Sequence, residues 1–329
     1  MQSVIPKHPM RNLIIAIACT FMASLFSCSQ NTGTKAELDT TTSGKITISV
    51  DESLKPIVES EELVFEGIYA KADITFIYMG EQDAINYMLK DSARMAIVTR
   101  QLTPKEESVL EQGKYKSRTI KMATDALAVI VNNSNTDTLF NPQQIKDIVS
   151  GKTKTWKELN AKNTLGDMRV VFDNPSSGAR RYLKDSLLKG GELGKNCFAL
   201  HSSKEVIEYV ENNKNALGII GVSWISDANS SEANAFLKKI KVADVLPDSK
   251  PDYFDKLVTF KPIQANMALK IYPFLRNIYM VSREAHTGLG TGFASFVAGD
   301  QGQRIIQKSG LIPAKSPIRI IQLNDKEIE

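Results

Sequence analysis

The chain has 329 residues, 42% hydrophobic and 24% charged, the balance of a folded globular protein and not of a disordered one. At roughly 100–200 residues per domain, that length accommodates two domains, or one large one. Lys and Arg number 41 against 37 Asp and Glu, with no concentrated basic run in the body of the chain, which argues against a nucleic-acid partner. Three Cys and three His are too few for a disulfide framework or a His-based metal centre.

The N-terminus reads as an address. Lys7 and Arg11 precede an apolar run of 14 residues, Leu13 to Phe26. A bilayer-spanning helix needs about 20, so the run is predicted to be a secretory signal and not a membrane anchor. It ends in Leu25-Phe26-Ser27-Cys28, which resembles a bacterial lipobox. That resemblance implies that residues 1–27 are removed and that Cys28 becomes the lipidated N-terminus, held to a membrane on the periplasmic side of the envelope. Residues 28–43 are polar and rich in Thr and Ser, and read as a flexible tether. Cys197, followed by Phe198-Ala199-Leu200, reads as a small buried hydrophobe.

From there, β-like runs alternate with amphipathic helical patterns, the signature of α/β units around a mostly parallel sheet. Lys45–Val50 is a predicted strand, and Ser53 a cap for the helix carrying Leu54, Ile57, Val58, Leu63 and Phe65. Asp73–Met79 (strand), Glu81–Lys90 (helix) and Arg94–Val98 (strand) follow. Thr103-Pro104-Lys105-Glu106 is a helix start, with Thr as cap, Pro at the first turn and Glu three residues on. Asp125–Asn132 is a strongly apolar strand, and Asn141-Pro142 opens a helix that Gly151 stops. Met168–Phe172 is a strand, followed by a polar turn and a helix through Tyr182 and Leu187. Ser202–Glu211 is a helix and Ala216–Val222 a strand; Asn229–Asn234 and Pro247–Pro251 read as exposed loops. Arg276–Ser282 is a late strand, and Gly288–Gly299 and Gln301–Ser309 are closing helices.

Short polar segments between a strand and a helix are the candidate sites, because they aim free N–H groups and a positive helix end at one point. The strongest is Asn174-Pro175-Ser176-Ser177-Gly178-Ala179-Arg180: it offers hydroxyls, a Gly allowing close backbone approach, and a cation. Ser53, Glu81-Gln82 and Thr99-Arg100 occupy comparable junctions.

Taken in order, these segments resemble the phosphate-binding proteins of bacterial ABC importers, within the class II periplasmic-binding-protein superfamily. Asp125–Asn132 looks like the family's crossover strand. Leu139, Gln144-Ile145, Gly151 and Trp156 match the helix and Trp-containing turn that follow it, and Asn215–Gly221 the next glycine-flanked strand. Tyr272-Pro273, Arg276, Phe293, Gly302-Gln303, Gly310 and Pro313 match its C-terminal return. The resemblance implies two α/β lobes with mostly parallel sheets, joined by two crossover strands. Lobe 1 is placed at 44–124 and 266–329, lobe 2 at 125–265, and the ligand in the cleft between them.

The resemblance also implies ligand-binding positions. Ser53 matches a hydroxyl at the first helix start, and Gln82 follows Glu81 where the family has Gly-Ser. Thr99 and Arg100 fall at the family's Ser-Asp, and Ser177, Gly178 and Ala179 at its Ser-Gly-Thr. Asn174 and Ser176 flank that loop. The family's Arg falls near Asp173, with Arg180 and Arg100 as its replacements. An Arg in place of the family's Asp removes the proton acceptor that tells phosphate from sulfate, since Arg carries donors only.

The expected function is therefore a lipid-anchored periplasmic binding protein that captures an oxyanion, phosphate first, and delivers it to an ABC permease. Sulfate or a carboxylate are alternative ligands, and a non-transport sensor or envelope interaction protein is the alternative role. No Gly-x-Ser-x-Gly, Walker loop or His-Glu-x-x-His is present, so neither an enzyme nor a cofactor is expected.

Overall fold

The computed structural model describes residues 39–247 and 259–315. The signal segment, Cys28, most of the tether, most of the Pro247–Pro251 loop and the residues after 315 lie outside the described residues. No described helix is long and apolar enough to cross a membrane.

Strand β1 (Ser43–Asp51) lies between β2 (Lys71–Met79) and β3 (Met95–Val98), parallel to both. Strand β4 (Arg118–Asn132) then runs through two neighbourhoods. β5 (Leu139–Phe140) pairs apart from the main sheet with β10 (Asp244–Val245). β6 (Arg169–Phe172) is parallel to both β7 (Cys197–Ala199) and β8 (Ala216–Gly221). β9 (Ile240–Val242), β11 (Leu275–Ser282) and β12 (Ile312–Pro313) all pair antiparallel with β4. The main order is β2-β1-β3-β11-β4-β8-β6-β7.

The parallel ladders thus sit at the two ends, and the antiparallel ones in the middle, where the chain crosses between lobes. Arg118–Ala126 of β4 pairs with β11, while Leu127–Val131 pairs with β8. The return crossing runs beside the outward one: the Leu127 N–H donates to the Phe274 carbonyl at 2.9 Å. Leu127 through Val131 are buried on both faces, which is why this stretch reads as an unbroken apolar run. One hydrophobic cluster extends from Ile48 and Phe65 through Val129 to Val170 and Ile207.

Helices fill the connections. α1 (Lys55–Ile68), α2 (Glu81–Leu89) and α3 (Pro104–Gln112) follow the first three strands. α4 (Pro142–Val149) and α5 (Trp156–Leu159) precede β6, and α6 (Gly178–Arg181) runs on into a π-helical turn at Tyr182–Leu187. α7 (Ser203–Asn212), α8 (Ser231–Lys239), α9 (Gln264–Ala268), α10 (Leu289–Val297) and α11 (Asp300–Lys308) complete the set. The helix start expected at Thr103 is a reciprocal capping box. The Thr103 hydroxyl accepts the Glu106 N–H at 3.3 Å, and the Glu106 carboxylate accepts the Thr103 N–H at 2.8 Å. Asn141 and Gln144 repeat the arrangement at 2.8 and 2.9 Å.

Four local expectations are corrected. β4 begins at Arg118 and not Asp125; its first part is half exposed and lacks the continuous apolar signal. Asn229–Asn234 is not simply a loop: Ser230 caps α8 by accepting the Ala233 N–H at 3.2 Å, and Phe236 packs on Trp224. Ser53 is not a helix cap; Asp51 Oδ1 accepts the Ser53 N–H at 3.1 Å. Cys197 is half-buried, not fully buried; its thiol donates to the Val149 carbonyl at 3.3 Å, and burial pushes its pKa up to about 11.

Candidate functional site

The C-terminal ends of parallel strands are where an open α/β sheet presents ligand sites. In this chain the ends of β1, β3 and β6 converge. β1 ends at Asp51 and is followed by Glu52-Ser53, β3 is followed by Thr99-Arg100, and β6 by Asp173-Asn174, which leads to Ser177 and Gly178 at the start of α6. Asp51, Ser53, Thr99, Asp173 and Ser177 are all buried.

Gly178 is the contact point between the lobes. Its N–H donates to Asp51 Oδ2 at 3.1 Å. A Cβ here would lie 2.4 Å from both Asp51 Oδ2 and Thr99 Oγ1, so only Gly lets the two lobes meet this closely. Beside it, Arg181 of α6 reaches across to Glu81 at the start of α2, and its Nη2 donates to Thr99 Oγ1 at 3.0 Å. Glu81 Oε1 also accepts the Thr99 N–H at 2.8 Å. Further along the cleft, Ser203 at the head of α7 donates its N–H and hydroxyl to Glu52 Oε2 at 3.0 and 2.9 Å.

Below these groups lies a buried ion pair. Arg276 of β11 donates from Nε and Nη2 to Asp125 Oδ2 of β4 at 2.9 and 2.8 Å. Its Nη2 also reaches Ser53 Oγ at 3.0 Å. Arg276 Nη1 and Asp125 Oδ1 are buried with no hydrogen-bond partner among the described residues. A buried, unmatched guanidinium N–H is a donor held ready for an acceptor.

The electrostatics are set by crowding. Burial pushes Asp51 up to about 7, helped by repulsion from Asp173 and Glu81 and opposed by Arg276. Burial likewise lifts Asp173 to about 6, against the pull of the Ser177 hydroxyl. Burial would raise Glu81 too, but Arg181 and the Thr99 donors together outweigh it and hold that carboxyl below its ordinary value. Burial works against the charge of Arg276, yet Asp125, Asp51 and Asp173 outweigh it and keep the guanidinium protonated. Two carboxyls therefore titrate near neutral pH in a cleft where acids outnumber cations.

The structure distributes the sequence-predicted positions unevenly. Ser53, Thr99, Ser177 and Gly178 come together in the cleft. Asn174 and Ser176 form its rim: Ser176 donates its hydroxyl to Asn174 Oδ1 at 2.8 Å and also to Asp83, and its carbonyl accepts the Gln82 N–H at 3.0 Å. Gln82 contributes that backbone contact, while its side chain turns to Glu106, Asn86 and Arg100. Ala179 is fully buried and brings no polar side-chain atom.

The two cations expected to replace the missing Arg do not. Arg100 is clamped by Glu106, with Nη1–Oε2 and Nη2–Oε1 both at 2.7 Å. The capping-box glutamate has already claimed it. Arg180 makes no side-chain hydrogen bond among the described residues, and its charge acts on exposed Glu192. Arg181 and Arg276 hold the charge in the cleft instead. Carboxyl groups are nonetheless present beside the cleft, on buried Asp51 and Asp173.

Residues 35–301 match the family model described as a PBP superfamily domain. The chain belongs to this family. Its fold is the class II periplasmic-binding-protein fold, and the protein is a binding protein and not an enzyme. Among curated proteins, the phosphate-binding protein PstS of Borreliella burgdorferi is 24% identical over 317 residues, covering 93% of this chain and all of the relative. PstS of Staphylococcus aureus strain COL is 24% identical, covering 83% of this chain and 79% of its own. Among solved structures, a putative phosphate ABC transporter substrate-binding protein from Clostridium perfringens, with bound phosphate, aligns with a TM-score of 0.68 at 24% identity. It covers 83% of this chain and 100% of that one. The phosphate-bound periplasmic protein PfluDING aligns at 0.63 with 14% identity, covering 82% and 90%. Across the PBP family fold, then, this chain places an interlobe junction rich in donors and in its own carboxylates.

Proposed function

We propose that this PBP-family protein captures an oxyanion, inorganic phosphate first, in the cleft between its lobes and delivers it to an ABC permease. In this reading the lobes are 44–124 with 266–329 and 125–265, and the protein is anchored through Cys28 on the periplasmic face of the envelope. The observation that carries the reading is the convergence of the Gly178 N–H, the Thr99 N–H and hydroxyl, Ser53, Arg181 and Arg276 at one interlobe point. Such donors, largely buried and already oriented, favour an anion once Asp51 and Glu81 release them. The named binding activity of the relatives supports the choice of phosphate.

A second reading has its own observation. The same donors are satisfied here by Asp51 and Glu81, so a carboxylate fits them by construction. A small carboxylate ligand, or a sensor that responds to one, is the alternative.

Isothermal titration of the protein from Gly44 onward, against phosphate, sulfate and acetate at pH 6 and pH 8, tests this. The charged groups facing the site are Asp51, Glu52, Glu81, Asp125 and Asp173, with Arg181 and Arg276. Of these, Asp51 and Asp173 gain protons as pH falls through about 7 and about 6. Repulsion of an anion then weakens, so sulfate, whose own charge is constant over this range, is expected to bind about tenfold tighter at pH 6 than at pH 8. Binding of acetate alone moves the function to the second reading. Silence for all three removes anion capture.

A further inference from the structure

Glu81 does not behave as an ordinary first-turn helix residue. It is 1% exposed, and its two oxygens hold a backbone N–H and a hydroxyl from Thr99 together with the guanidinium of Arg181. Arg100 Nε stands a further 3.8 Å from Oε2. A backbone amide, a hydroxyl and an arginine around one pair of oxygens form the donor set of an oxyanion receptor. The acceptor that fills it is part of the chain.

Building on the anion-capture reading, we propose that Glu81 is a tethered competitor for the bound anion. It engages Thr99 and Arg181 in the closed cleft, yields them to the ligand, and thereby sets affinity and specificity.

Three features of the geometry argue for competition over a fixed structural pair. First, the space is shared. A Cβ on Gly178 would lie 3.1 Å from Glu81 Oε1 as well as 2.4 Å from Thr99 Oγ1, and the Thr99 N–H and hydroxyl both already donate to Glu81 Oε1, so a ligand oxygen gains those donors only as Glu81 gives them up. Second, the pair spans the lobes. Glu81 and Thr99 stand on one side and Arg181 on the other, so opening the cleft by itself takes Arg181 away and leaves only the Thr99 contacts for the ligand to displace. Third, Arg181 is not the only support of the Glu81 charge. Glu81 is the first residue of α2, with Gly80 as N-cap, and the helix N-terminus favours its carboxylate even when Arg181 turns to the ligand.

The consequence for specificity is direct. A ligand must offer Thr99 and Arg181 more than a monovalent carboxylate does. A tetrahedral oxyanion with several oxygens and a higher charge meets that condition; a simple monocarboxylate only exchanges one carboxylate for another.

The test is titration of phosphate into wild type and two pairs of variants at pH 7. Glu81→Gln keeps the size and removes the competing charge, and is expected to tighten phosphate binding at least tenfold. Glu81→Asp, one methylene shorter, is expected to tighten it by a smaller factor, and serves if the Gln variant fails to fold. Arg181→Met and the shorter-reaching Arg181→Lys are expected to weaken binding, because the ligand inherits that cation. Opposite signs for the two partners are the signature of competition. A structural pair gives losses of the same sign on both sides, and that result, or an unchanged affinity in Glu81→Gln, overturns the inference while leaving phosphate capture in place. Wild type and both Glu81 variants all silent toward phosphate overturns phosphate capture and the inference together.

Discussion

Arg276→Met is expected to cost about 3–5 kcal/mol of folding stability, the range for stranding one member of a buried ion pair. Arg276 and Asp125 stand directly opposite each other on β11 and β4, the two strands that carry the chain between lobes. Their side chains are 2% and 0% exposed. Removing the guanidinium leaves Asp125 in the interior without its cation, and leaves Asp51 and Asp173 without the charge that opposes their mutual repulsion. Met fills a similar volume, so the loss is electrostatic and not a cavity. Chemical denaturation at pH 7 measures it. The double variant Arg276→Met with Asp125→Leu is expected to recover most of the loss, because an apolar pair replaces an ionic one at little net cost. A loss below about 1 kcal/mol in the single variant would show that water reaches the pair and that the crossing strands are joined by packing alone.

The second large effect has the opposite sign. Glu61, on α1, is fully buried, and neither of its carboxyl oxygens has a hydrogen-bond partner among the described residues. Burial alone pushes its pKa up to about 9. The folded state therefore holds this proton more tightly than the unfolded chain does. Its contribution to stability is fully present below the unfolded value near 4.5, and is lost steadily as pH rises towards about 9. Glu61→Met replaces an unsatisfied polar group by an apolar one of similar length, and is expected to gain about 1–3 kcal/mol at pH 7 and more at pH 9. At roughly 2–4 °C per kcal/mol, the gain is visible in a thermal melt. Melting curves of both proteins between pH 5 and pH 9 isolate Glu61 from the other titrating groups: the gap between them should widen as pH rises. A constant gap would mean that Glu61 has the same pKa folded and unfolded, and so is already ionised in the folded protein across this range. A variant less stable than wild type would mean that the carboxyl has a partner it needs.

The fold was largely legible because its signals are local. The apolar run of β4, the Thr-Pro-x-Glu start of α3 and the Asn-Pro start of α4 each carry their structural reason within a few residues. The short strand β7, part-exposed and three residues long, carries too little pattern to be read. The site was legible only in part, and the division has a physical basis. Thr99, Ser177 and Gly178 sit at strand-to-helix junctions, whose chemistry shows in sequence. Arg276 becomes a site residue through Asp125, 151 positions away, and no local pattern announces that. Arg100 and Arg180 failed for a related reason. A cation at the right junction belongs to whichever acid reaches it first, and Glu106 reaches Arg100. One signal was available: Asp51, Glu81 and Asp173 are three acids at the ends of β1 and β6 and the start of α2. Three carboxylates at junctions that face one cleft make a crowded site even before the cations are placed.

The most direct test of oxyanion capture is a crystal structure of the protein grown with saturating phosphate. Phosphate is expected between the lobes, its oxygens on the Gly178 N–H, Thr99 and the guanidinium groups of Arg181 and Arg276, with Asp51 off Gly178 and Glu81 off Thr99. A cleft that keeps Asp51 on Gly178 and Glu81 on Thr99 at saturating phosphate would contradict it.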